Sequence, residues 1–130
     1  MDAIKIIDAF CERGSSDREI SALEFGDMAT SLAELSESHQ IRLLPALMAY
    51  VIRHGNNLLK THYGDMVVYR LMPQPEGWKN LIDEMNAAEV DVTHEWLLTC
   101  KEFPFAVNCS DELRLAIELF NERSNHKGTD

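Results

Sequence analysis

Asn86-Ala87-Ala88-Glu89-Val90-Asp91-Val92-Thr93-His94-Glu95-Trp96-Leu97-Leu98-Thr99-Cys100 is the stretch that decides the fold. Asn86 and Glu89 have capping-box spacing, in which each side chain accepts the other's free backbone N–H. Downstream, apolar residues fall on two stripes at helical spacing. Val90, His94, Leu97 and Leu98 form one, and Val92, Trp96, Cys100 and Phe103 form the other. A helix apolar on most sides needs neighbours all round, so the segment predicts a central helix. Pro104 ends it.

Helical periodicity recurs on both sides, and strand alternation is scarce. Towards the C-terminus, Ser110 with Asp111 and Glu112 caps a last helix that buries Leu113, Ala116, Ile117 and Phe120. Residues 124–130 are polar and read as a frayed tail. Towards the N-terminus, Pro73-Gln74-Pro75 is a stiff connector. Pro75 starts a helix carrying Trp78, Leu81, Ile82 and Met85. Met66–Met72 has β-forming residues but no alternation and no partner strand, so it reads as helical after an Asp65 cap. Asn57 to Tyr63 forms one or two helical turns.

Ser36 or Ser38 opens a helical region that Gly55 ends. Pro45 leaves two outcomes, a single kinked helix or, as preferred, a short helix followed by a new one with Pro45 in its first turn. Before it, a helix starts at Ser16/Glu19 or at Ser21/Glu24 and carries Phe25, Met28, Leu32 and Leu35. Asp2 caps a first helix with Ile4, Ile6, Ile7 and Phe10 inside and Gly14 as its stop. The expected fold is therefore all-α: a single compact bundle of five to seven short helices over residues 1–123, with 124–130 as a tail.

The 130 residues carry a formal net charge of −10, distributed in blocks. Residues 1–41 hold −6, residues 42–82 hold +3, residues 83–112 hold −7, and the rest balance. This disfavours nucleic acid and anionic membranes, both of which need clustered Lys and Arg. The longest apolar run, Leu43–Ile52, is ten residues long, half of a membrane span. Three cysteines and no secretory segment point to reduced thiols in the cytoplasm.

Candidate chemistry is thin. His54 and His62 match no zinc spacing, and no metal or cofactor is expected. Cys100 shares a stripe with Trp96 and Phe103, which implies burial. Cys11 sits beside the acidic Glu12, an unfavourable setting for a nucleophilic thiolate. Cys100 and Cys109 straddle a Pro-containing loop. The Asp83–Glu95 stretch lacks the third-position ligand and sixth-position Gly of a calcium loop. No nucleophile elbow is present.

The acids are better organised. Glu24, Asp27, Ser31 and Glu34 run at i, i+3, i+7, i+10 beside the apolar Phe25 stripe. Asp91 and Glu95 share a face, and Glu102 follows seven residues on. The ordinary role of such stripes is a solvated helix face; the functional one is a dock for a basic partner. Phe103-Pro104-Phe105 is apolar and flanked by acids, either a core plug or an interface anchor.

The Leu44-Pro45-Ala46 helix start, the Val68-Tyr69-Arg70-Leu71 segment before a Pro-containing connector, and the C-terminal helix pair resemble a set of small all-helical bacterial proteins of unknown function. The resemblance implies a helical fold and transfers no activity.

The expected function is a small acidic protein-binding module, of the immunity or inhibitor type, occluding a basic protein. Its partner-binding residues are Glu24, Asp27, Glu34, Asp91, Glu95, Glu102, Phe103 and Phe105. The alternatives are a structural or regulatory subunit, with homo-oligomers possible, or a small carboxylate-dependent enzyme.

Overall fold

The computed structural model describes residues 1–14 and 18–127, with side chains to Ser124. They form six α-helices and no strand. The helices are α1 (Ala3–Ala9), α2 (Ala22–Ser31), α3 (Glu37–His54), α4 (Gly64–Leu71), α5 (Ala87–Cys100) and α6 (Ser110–Lys127). Short 3₁₀ turns cover Cys11–Arg13, Leu32–Glu34, Leu81–Glu84 and Pro104–Cys109.

The bundle is built around α5. Both reciprocal bonds of its Asn86/Glu89 capping box are present. Val90, Val92, Thr93, Trp96, Leu97 and Cys100 are buried, against α6 on one side and α1 on another. Leu98 is exposed, so the first stripe is narrower than its spacing suggests. Trp96 is fully buried, and its Nε1–H donates to the Met48 carbonyl of α3 at 3.0 Å.

Caps explain the other starts. Asp2 accepts from Ile4 N, Ser21 and Glu24 form a capping box, and Ser36 accepts from His39 N. The alternative Ser16/Glu19 start lies partly outside the described residues. Gly14, at φ 76°, supplies the left-handed turn after α1.

Several expectations change. First, α3 is one 18-residue helix with Pro45 inside it. Ile41, Leu44, Leu47, Met48 and Val51 are buried on both sides of the proline, and this shared burial offsets the single lost backbone bond. Second, no α-helix follows Pro75. Gly77 takes φ 93°, Trp78 N closes a turn onto Pro75 O, and Trp78 is exposed rather than core. Third, Asp65 lies in the first turn of α4 and Ser110 within α6, so neither is a cap. Fourth, α6 continues to Lys127, through the first residues of the expected tail. Ile4, expected inside, faces solvent.

Phe103 and Phe105 are both built into the core surface. A Cβ added at Gly55 would lie 2.6 Å from the Phe103 ring, and one at Gly64 would lie 3.1 Å from the Phe105 ring. The two rings therefore seat on the glycines that flank the 56–63 loop.

Two stability outcomes follow from this packing. Thr93 is fully buried, and its Oγ1 has no hydrogen-bond partner among the described residues. Thr93→Val removes that unsatisfied group at constant shape and should raise stability by about 1 kcal/mol in chemical denaturation. Gly55→Ala should cost about 1–3 kcal/mol through overpacking. Combining it with Phe103→Leu should recover most of that loss; additive losses in the double variant would disprove the contact.

Candidate functional site

The two acidic stretches meet different fates. On α5, most of the carboxylates are engaged by neighbouring elements. Glu89, only 1% exposed, receives both Nε and Nη2 of Arg13 at 2.7 and 2.6 Å while also closing the helix cap. Lys5 reaches Glu95 at 2.7 Å, Ser124 Oγ donates to Asp91 at 2.9 Å, and Arg123 meets Asp83 at 2.7 Å. Residues of α1, its following turn and α6 thus neutralise or bond this face. Glu95 and Glu102 share a shallow cleft with Leu98 and Lys101.

The basic block 42–82 plays little part in this. Among the described residues, Arg53 reaches Glu19 at 3.4 Å, and no cation of the block pairs with residues 83–112. Proximity in sequence did not become proximity in charge.

On α2 the arrangement differs. Glu24 is held by the capping box and by Arg18, whose Nη2 lies 2.7 Å from Oε2. Hydrogen bonds from Arg18 and from the Ser21 backbone N–H lower the Glu24 pKa to about 2. Asp27 and Glu34 are exposed and have no side-chain partner among the described residues. Glu34 sits on the Leu32–Glu34 3₁₀ turn, so the four-residue stripe is helical only as far as Ser31.

The apolar anchors lie elsewhere than expected. Phe105 is buried and Phe103 partly so, which corrects their reading as exposed docking residues: both rings plug the core over Gly64 and Gly55. Large exposed apolar side chains occur on α2, Leu23 at 76% exposure, and on the 56–63 loop, as Leu58, Leu59 and Tyr63. Leu59 is 92% exposed. Tyr63 packs on α2, since a Cβ at Gly26 would lie 3.1 Å from its ring. This contact joins the loop to the acidic helix. The sequence signal for it was the adjacent Leu58-Leu59 pair in the 57–63 segment expected as one or two helical turns, which forms isolated turns with Lys60 N and Thr61 N donating to the Asn57 carbonyl.

Other chemistry finds no assembled site. Burial raises the Cys109 thiol to about 11 and pushes Cys100 up as well, so both stay protonated and inert. No group of three or more His, Cys, Asp or Glu is placed to hold a metal ion among the described residues. No described helix is long and apolar enough to cross a membrane. An apolar groove of about 440 Å³ runs between Lys101, Val107, Leu113 and Ile117, on the α6 side and away from the α2 acids. Comparison of the chain with protein-family models, curated proteins and solved structures gave no match.

The Arg18–Glu24 pair has a directional pH signature. A carboxylate with a depressed folded-state pKa contributes stability that is fully present above its unfolded pKa near 4.3 and lost as pH falls through about 2. In an NMR titration, Arg18→Ala should move the Glu24 midpoint from about 2 towards the ordinary carboxylate range. An unmoved midpoint would assign the depression to the cap alone.

Proposed function

We propose that this protein is a binding module for a basic protein surface, and that it docks through the face made by α2 and the 56–63 loop. The observation that carries this reading is the coincidence of exposed apolar side chains with uncommitted acids. Leu23, Leu59 and Tyr63 offer anchors, while Asp27 and Glu34 are free of internal partners among the described residues. Apolar anchors with a charged rim are the usual anatomy of a recognition patch.

The mechanism is occlusion. The acids speed encounter and set register with a Lys/Arg-rich surface, and the leucines and tyrosine then exclude water from the contact. An immunity-type or inhibitor role, masking the working surface of a basic toxin or nucleic-acid-acting protein, is the form of this activity that fits the charge. The α5 acids are secondary in this scheme because Lys5, Arg13 and Arg123 already satisfy several of them. Phe103 and Phe105 contribute by seating the ends of the loop, not by touching the partner.

The reading is tested by low-salt capture of basic proteins on the immobilised chain, followed by association kinetics. Association should slow about tenfold or more between about 50 and 200 mM salt. Asp27→Lys with Glu34→Lys should lower the on-rate, Leu59→Asp should raise the off-rate, and Glu102→Lys should leave both near wild type. An on-rate indifferent to salt and to reversal of the α2 acids removes the proposal.

A further inference from the structure

Arg70 is a buried cation without an anion. It is 5% exposed, in the last turn of α4. Its Nε donates to Gln40 Oε1, and its Nη1 donates to the Lys79 carbonyl at 3.1 Å. Both acceptors are neutral. Among the described residues no carboxylate lies within ion-pair distance, and Glu37 acts on it only through space. Burying a guanidinium strips its hydration, a cost that a carboxylate normally offsets. Here that cost stands: desolvation lowers the Arg70 pKa. Its Nη2 bonds no described residue, yet it is not among the sealed polar atoms that lack a partner, so it reaches open space.

Arg70 lines a cavity of about 140 Å³ between α2, its 3₁₀ extension and α4. Ala29, Leu32, Ala33 and Met66 give it apolar walls. The other polar groups of the lining are committed: Thr30 Oγ1 donates to the Gly26 and Asp27 carbonyls, Gln74 Nε2 to the Tyr69 and Met72 carbonyls, and the Tyr69 hydroxyl interacts with Asp65. The free donors therefore belong to one guanidinium. One cation with apolar walls selects a monoanion with a hydrocarbon body. A phosphate or sulfate needs more donors than one partly occupied guanidinium supplies. The volume equals the liquid share of about four or five waters, room for roughly six heavy atoms.

We infer that this cavity is a binding site for a short-chain aliphatic monocarboxylate, its carboxylate on the free N–H groups of Arg70 and its chain against Ala29, Ala33 and Met66. The site is independent of the docking face: it rests on a buried charge rather than on the exposed acids.

The test is an NMR titration of the intact protein with butyrate, with butyramide and inorganic phosphate in parallel. Butyrate should give saturable shifts at Ala29, Ala33 and Met66 with a dissociation constant of about 1–10 mM, and butyramide should bind about tenfold more weakly or less. Arg70→Gln should abolish saturation. Because Arg70 also ties α3 to the connector, Ala33→Leu provides the second variant: it fills the cavity from its exposed edge, leaves Arg70 in place, and should lose butyrate while keeping the helical circular dichroism. Equal binding of butyramide, phosphate as tight as butyrate, wild-type affinity in folded Ala33→Leu, or shifts centred on Arg42 or Lys79 instead of the cavity would each overturn the assignment.

Discussion

One indole N–H sets the relation of the two central helices. Trp96 is the largest side chain in the core, and its ring has no exposure. A buried indole needs an acceptor, and the Met48 carbonyl on α3 is the one it finds. That bond fixes the rotation of α5 about its own axis. With the rotation fixed, Val92 and Leu97 turn into the core, Leu98 turns out, and Glu89, Asp91 and Glu95 come to face Arg13, Ser124 and Lys5. Packing therefore chooses the electrostatic partners, not the reverse. Exposed pairs such as Lys5–Glu95 add little on their own; Arg13–Glu89 matters more because its carboxylate is buried.

The same logic separates the two acidic stretches. α5 lies between elements that bring cations to it, so its charge is largely balanced locally. α2 packs on α3 and α4, whose nearby cations are otherwise placed: Arg70 points inward to Gln40, and Arg53 reaches Glu19. Asp27 and Glu34 thus face outward near α2 without a side-chain partner among the described residues, as Glu12, Glu76, Glu84, Glu102 and Asp111 do elsewhere. The aromatic plug over Gly55 and Gly64 holds the neighbouring loop in place beside it.

Much of the fold was legible because caps are local. Asp2, Ser21/Glu24, Ser36 and Asn86/Glu89 announce helix starts through bonds spanning two or three residues, and each forms. Several of the misreadings concern competition between local preference and tertiary burial. Pro45 disfavours a helix by itself, but apolar residues on both sides of it share one core. Trp78 has core phase, but Gly77 one residue earlier turns the chain away. Phe105 reads in sequence as either a core plug or an interface anchor, and only the distant Gly64 reveals its seat. The α2 acids were readable as a stripe; their freedom from partners depends on where Arg53 and Arg70 point, which no local pattern encodes. The Arg70 cavity was equally hidden, since Gln40 and Lys79 lie 30 and 9 residues from it.

The bonds from Arg13 to Glu89 and from Lys5 to Glu95 span 76 and 90 residues. During synthesis, α1 emerges long before its partners exist. It can settle on α3 early, but its two cations wait in water until α5 has been made. Loop closure over such distances is slow and precedes any reward. The nascent chain therefore spends most of its translation as a half-built bundle, with Phe10 and the apolar face of α3 lacking part of their cover. Only when α5 and then α6 have both been made can the core close around α5.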